Sequence, residues 1–190
     1  ICKQNESDSL ALIFFERANN DFKLSGNEWY YAHSLLDVSE YNLYLHYFSR
    51  ADSILKLAET YTTDDMYLAR FYETKGLYFY ELQQYDSALV YFKKGLPLWQ
   101  HEEYRLYSYM KIMQVYLDMD SLAQALPYAQ SIIHNTQNPT FLVNAYYCMM
   151  QDANAKNDTK RLSEYSHARA DAEKSLRDYV SISAETVPKF

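Results

Sequence analysis

Glycine and proline are scarce in this chain of 190 residues, with Gly 3 and Pro 4. Phosphate-cradling loops and dinucleotide fingerprints need several glycines close together. Gly26, Gly76 and Gly95 stand alone, which argues against nucleotide-binding folds of those types. Asn-Gly and similar hairpin pairs are missing, as is any sustained apolar/polar alternation, so strands are not expected. Positive charge is also short. The net charge is −7 and no basic stripe interleaves with aromatics, so direct nucleic-acid binding is disfavoured. No apolar run approaches a membrane span, and residues 10–15, Leu-Ala-Leu-Ile-Phe-Phe, are far too short for one. Cysteine is limited to Cys2 and Cys148. Cys148 falls in a predicted helix and reads as a small core residue.

Catalytic constellations are equally thin. His101-Glu102-Glu103-Tyr104-Arg105 begins like a zinc-protease helix, but Arg105 stands where the second histidine is needed. His101, His134 and His167 share a spacing that differs from the structural period described below, so they are expected to drift across faces without converging on a metal. No serine sits in a nucleophile-elbow sequence. Asp64-Asp65 and Glu102-Glu103 lie at predicted helix starts, where negative charge favours the helix dipole. The chain reads as non-enzymatic, with no cofactor and no metal.

What is present is hydrophobic content of 48%, aromatic content of 17%, and a period. Tyr72, Tyr109 and Tyr146 recur every 37 residues, as do Ala51, Ala88 and Ala125. A recurrence at that distance marks stacked helix pairs burying a continuous core. A first helix is expected over 8–22, capped by Asp8 or Ser9, with Leu10, Ile13, Phe14 and Leu12 as its apolar side. Ser25-Gly26-Asn27 breaks it. Four pairs follow, with first helices near 28–45, 65–82, 102–118 and 139–155. Second helices fall near 48–61, 85–98, 121–135 and 159–177. Thr63-Asp64-Asp65 offers a cap, Asn138-Pro139 a cap followed by proline at the first helical position, and Asn157-Asp158-Thr159 a turn. Pro127 inside a helix predicts a kink. The expected organisation is a tether over 1–7, one helical-repeat domain over 8–177 (pairs near 28–61, 65–98, 102–135 and 139–177), and a linker over 178–190.

The segment Tyr72-Glu73-Thr74-Lys75-Gly76-Leu77-Tyr78-Phe79-Tyr80, followed by Tyr85-Asp86-Ser87-Ala88-Leu89-Val90-Tyr91-Phe92-Lys93-Lys94-Gly95, closely resembles a tetratricopeptide repeat (TPR). Tyr72, Gly76, Phe79, Tyr85, Ala88, Phe92 and Gly95 match the signature positions of that family. The next unit keeps Tyr109, Tyr116, Leu122, Ala125, Ala129 and Ile132 but puts Met113 at the small position. The preceding one keeps Leu35, Ser39, Phe48, Ala51, Leu55 and Ala58 but puts Asn42 where an aromatic belongs. The last keeps Tyr146 but carries Leu162, Ser166 and Arg169, which suits a terminal cap. The resemblance covers roughly residues 30–177 and implies an all-α, right-handed α-solenoid of antiparallel helix pairs, about four pairs plus an N-terminal helix. The period exceeds the family's usual ~34 residues.

Such folds hold peptides or helices in a groove lined by the first helices, and the resemblance implies the lining. It consists of His33, Leu36, Glu40 and Leu43; then Arg70, Glu73, Leu77, Tyr80 and Glu81; then Tyr107, Met110, Gln114, Leu117 and Asp118; and finally Asn144, Tyr147 and Gln151. Leu36, Glu40, Glu73 and Leu77 stand where a chaperone-tail clamp would want lysines and asparagines, so that ligand is disfavoured. Acidic residues outnumber Arg70, so an apolar or aromatic ligand with some positive charge is expected. The alternative is that residues 8–22 occupy part of the wall. Tyr 21 exceeds what a core needs, and tyrosine suits contact surfaces.

The implied function is a protein- or peptide-binding module. The Tyr-rich, degenerate repeats resemble the N-terminal sensor region of bacterial regulators that continue into a membrane span and a helix-turn-helix domain. A chain starting Ile1-Cys2 is expected to be a processed or excised piece. Cys2 before polar Lys3-Gln4-Asn5-Glu6 resembles the lipid-bearing cysteine of a bacterial lipoprotein, although Ile1 sits where a small residue belongs. A free-standing lipoprotein scaffold for envelope assembly and a cytoplasmic adaptor or co-chaperone are the other readings. An extracytoplasmic location is favoured over a cytoplasmic one.

Overall fold

The structure is a computed structural model that describes residues 2–61 and 64–186, with side chains for 10–61 and 64–178. Among the described residues there are nine α-helices and no strand. They are α1 (Cys2–Leu24), α2 (Glu28–Tyr44), α3 (Phe48–Ala58), α4 (Asp65–Glu81), α5 (Tyr85–Gly95), α6 (Glu102–Asp118), α7 (Leu122–Asn135), α8 (Pro139–Ala155) and α9 (Thr159–Thr186). A short 3₁₀ turn, Leu96–Leu98, follows α5. The chain divides into two compact units, 1–101 and 102–190. In the first, α1 packs on α2, α2 on α3 and α4, and α4 on α5; in the second, α6 packs on α7, α7 on α8, α6 on α8, and α8 on α9. The sequence register suggests one domain over 8–177 with a tether before it and a linker after it. The observed helices reach beyond those bounds at both ends. The side chain of Cys2 lies outside the described residues, and the expected lipid with it; Thr63 and Pro188 lie outside them too.

The starts follow from local chemistry. Asp64 caps α4 by accepting from the Tyr67 N–H at 2.7 Å, and Asn138 caps α8 by accepting from the Thr140 N–H at 3.0 Å, with Pro139 opening the helix. Helix α7 runs through Pro127 without interruption.

The turns inside the pairs repeat with the period. His46, Gln83, Asp120 and Asn157 all have positive φ, between 53° and 59°. In each case the next N–H reaches back to the last turn of the preceding helix: Tyr47 to the Asn42 carbonyl, Gln84 to Phe79, Ser121 to Tyr116, Asp158 to Ala153, at 2.8–2.9 Å. This is a Schellman closure, with a left-handed residue in the place usually taken by glycine. The sequence hides it, because histidine and glutamine carry no turn signal.

Inside the pairs, Ala51, Ala88 and Ala125 are fully buried. A volume exchange accompanies them. Gly76 faces Phe92, whereas one period later Met113 and Ala129 share a core cluster. One period earlier, buried Ser39 and Leu55 hold the same two positions. A large residue on one helix is matched by a small one on the other, which keeps the interior filled. Ring pairs recur at the same height: Tyr72 with Tyr91, Tyr109 with Tyr128, Tyr146 with Tyr165, at 5.8–6.3 Å. Phe79 stacks on Tyr91 at 5.3 Å, and Lys75 and Lys94 lie over the Tyr91 ring. Tyr85 is half-buried beside Tyr80.

Helix α1 departs from expectation. The side it packs on α2 has buried Leu12, Phe15 still partly exposed against Tyr41, Asn19 donating to the Ser34 hydroxyl, and Phe22 stacked on Tyr30. Leu10, Ile13 and Phe14, expected to be buried, are exposed. The contacts α2 offers, two tyrosines and a serine, select a mixed polar-aromatic stripe over the most apolar one.

Two substitutions test the pair geometry. A Cβ at Gly76 would come within 2.5 Å of the Phe92 ring, which is itself buried. Gly76→Ala is therefore expected to lose about 1–3 kcal/mol to overpacking, outweighing the ~1 kcal/mol gain in helix propensity, as read by chemical denaturation. Gln83→Gly should do the opposite. It relieves a left-handed residue worth ~1 kcal/mol and raises the melting temperature by about 2–4 °C. A lowered melting point would disprove the assignment of that turn.

Candidate functional site

The two units present their first helices separately, and each face has its own chemistry. In the first unit, Arg70 on α4 reaches across to α2. Its guanidinium donates to Asp37 Oδ1 at 2.6 Å, lies 3.8 Å from Glu40 Oε1, and approaches His33 Nδ1 at 3.4 Å. The Thr74 hydroxyl, one turn further along α4, has its one proton between two acceptors, Glu40 Oε1 at 2.7 Å and the Arg70 carbonyl at 2.9 Å. Glu73 adds a further negative charge near Arg70. The network is thus one cation among three carboxylates, half-buried, on two packed helices. Partial burial makes the pairing count for more than at an open surface.

His33 anchors the inner end. It is buried, with Trp29 at 4.1 Å on one side and Tyr67 edge-on at 5.3 Å. Arginine can only donate, so His33 Nδ1 accepts and the ring proton sits on Nε2. That atom has no hydrogen-bond partner among the described residues. Burial, and then the charge of Arg70, holds the imidazole pKa below 6.5. Trp29 is fixed in turn by its indole N–H, which donates to Asp64 Oδ2 at 2.9 Å. The Tyr67 N–H bond holds the Asp64 carboxyl below its ordinary value.

In the second unit the face is built mainly from uncharged side chains. Tyr107 on α6 packs edge-on against Phe141 of α8 at 4.7 Å, leaving 37% of its surface exposed. Half-buried Met110 has its sulfur 3.7 Å from the Asn144 amide, and Gln114 donates to Asp118 at 2.9 Å. Tyr147 is 45% exposed with the Arg169 guanidinium over its ring at 5.1 Å. Arg169, a departure from the repeat pattern, serves here as a lid on that ring while pairing with Glu173 at 3.0 Å. Leu117 packs against the core, and Gln151 is half-buried.

Several expected lining residues therefore come together: Glu40 with Arg70, and Tyr107, Met110 and Asn144 between α6 and α8. Leu77 and Tyr80 are half-buried and Glu81 exposed on α4 beyond this network. Leu36 and Leu43 do not belong to any open wall. Leu36 is 0% exposed and sits in the core of the first unit, and Leu43 is buried as well. Sequence reasoning missed Asp37, Thr74, Trp29 and Asp64, whose roles depend on which residue of a neighbouring helix lies opposite. Helix α1 contacts the Tyr30, Ser34 and Tyr41 side of α2, while Asp37 and Glu40 turn to α4. Cys148 is buried, and burial pushes its thiol up to about 11, so it is an inert core residue. Among the described residues no cluster of three potential metal ligands occurs, and no helix is long and apolar enough to cross a membrane.

The lowered His33 pKa has a sign that can be checked. The unfolded chain takes up this proton near pH 6.5 and the folded chain only below it. The stability that the neutral imidazole contributes is full above that pH and is lost as pH falls through the window beneath. The urea midpoint is expected to drop between about pH 7 and pH 5, and His33→Gln should flatten that slope, since carboxylates titrate mainly lower.

No family model and no curated protein matches this chain. Among solved structures, the crystal structure of MamA, a TPR-like protein, is similar with a TM-score of 0.65 at 15% identity. The likeness covers 93% of this chain and 95% of that chain. At that identity it shows the fold alone: an all-α, TPR-like arrangement of antiparallel helix pairs.

Proposed function

We propose that this chain is a non-enzymatic protein-binding module in which each unit binds polypeptide on the face of its own first helices. The observation that supports this most is the Asp37–Arg70–Glu40 network. Charged groups are held in fixed geometry on two helices, half-open to solvent, with an excess of negative charge. A polypeptide carrying lysine or arginine suits that face. The mainly uncharged face of the second unit, with Tyr107, Met110, Asn144 and Tyr147, suits apolar or aromatic side chains flanked by peptide amides. Tyrosine and methionine supply contact area, and the Asn144 amide can both donate and accept.

The finer reading is that the module forms the sensing region of a larger bacterial regulator. It rests on the degenerate, Tyr-rich repeats. A lipoprotein scaffold rests on Cys2 alone. The sequence of the gene on either side of these residues separates the two.

Selection from a random peptide library tests the binding reading. Peptides held by the first unit should be enriched in basic residues, and those held by the second in aromatic or aliphatic ones. Glu40→Lys should weaken the basic peptides about tenfold through their charge, while Tyr107→Ala should weaken the aromatic or aliphatic ones. Selected peptides that are acidic, or indifferent to both variants, would sink this reading of the two faces.

A further inference from the structure

Helix α1 uses one side to pack on α2 and leaves the opposite side open. The open side carries Leu10, Phe14, Arg17, Asp21 and Leu24, spaced four, three, four and three. That is the a/d spacing of a helix seam. All five are exposed: Leu10 by 52%, Phe14 by 58% and Leu24 by 76%. A solvent-facing stripe of a globular domain is normally polar, so three large apolar side chains in line mark a contact face. Arg17 and Asp21 sit in its middle and make no ion pair with another described residue. Ala18, small and exposed, lies beside them.

We propose that this stripe pairs antiparallel with the same stripe of a second copy of the chain, around a two-fold axis near residue 19. The charges choose the occupant and the register. With the axis there, Arg17 faces the partner's Asp21, and Phe14 faces the partner's Leu24. Symmetry repeats both contacts, so two ion pairs lie between two apolar layers. A shift by one heptad sets Arg17 against the partner's Phe14 and Leu10 against the partner's Asp21, leaving each charge on an apolar group. A parallel in-register pair sets Arg17 on the partner's Arg17 and Asp21 on the partner's Asp21. Of these registers only the first sets each charge opposite its counterion and Phe14 opposite an apolar side chain, with Leu10 lying past the end of the partner's α1. Ala18 beside the crossing lets the helices approach. The contact is short, at the low end of specific interfaces, so the dimer is reversible with a dissociation constant on the order of micromolar or weaker.

Sedimentation equilibrium of the full 190-residue chain over a wide concentration range tests this. Wild type should show a monomer–dimer equilibrium. Arg17→Asp and Asp21→Arg each place like charges opposite one another twice, and each alone should weaken the dimer at least about tenfold. An equimolar mixture of the two variants restores both ion pairs and should dimerise like wild type. Both positions are exposed, so circular dichroism should report unchanged folding. A wild type that stays monomeric throughout overturns the proposal. So does a dimer indifferent to both variants, which would lie on another surface. Variants that dissociate but fail to re-form on mixing would overturn the antiparallel register.

Discussion

Close approach of the two helices within each pair is the constraint on which the rest depends. Ala51, Ala88 and Ala125 carry no exposed surface, and the space beside them is filled by one large side chain from either helix. Where the first helix offers Gly76, the second supplies Phe92; where the first offers Met113, the second has Ala129. The exchange explains how a degenerate repeat keeps one geometry. A void would forfeit packing and an extra group would overlap, so the sum of the two volumes is conserved while each member varies. A TPR consensus position read singly looks broken at Met113. Read with its partner, it is intact.

Fixed packing between pairs also fixes the height of everything carried on the other side of the first helices. Arg70 can be half-buried because Asp37 and Glu40 on α2 stand within reach, and they stand there because α2 and α4 are held side by side by the cores of their own pairs. The same arrangement brings Tyr107 onto Phe141 and Met110 beside Asn144 in the second unit. The two faces differ in character although the backbone plan is the same. One concentrates charge in a partly dehydrated setting, where it is strong and directional. The other offers large, weakly polar side chains.

Helix α1 shows where periodicity alone misleads. Leu10, Ile13 and Phe14 form its most apolar cluster, and burial by hydrophobicity would turn them inward. The surface of α2 instead presents Tyr30, Ser34 and Tyr41, which match Phe22, Asn19 and Phe15. Arg50 of α3 adds an ion pair to Glu16. Several specific contacts on one side outweigh three exposed apolar side chains on the other, and the helix takes the orientation its neighbour dictates.

The sequence by itself determined the helical class, the 37-residue step and most helix starts, because these follow from local rules. Alanine and tyrosine recurrences, a capping Asp64 or Asn138, and proline after the cap act within a few residues of chain. The resemblance put Glu40 and Arg70 on one expected wall but did not pair them. Only the tertiary structure decided that Leu36 and Leu43 belong to the core, that Asp37 and Thr74 complete the charged network, and that α1 shows its apolar stripe to solvent. The same holds for the left-handed turns at His46 and Gln83, whose side chains give no warning of that backbone. Each of these depends on which residue of another helix stands opposite, a relation set by rotation and approach of whole helices and written in no local stretch of chain.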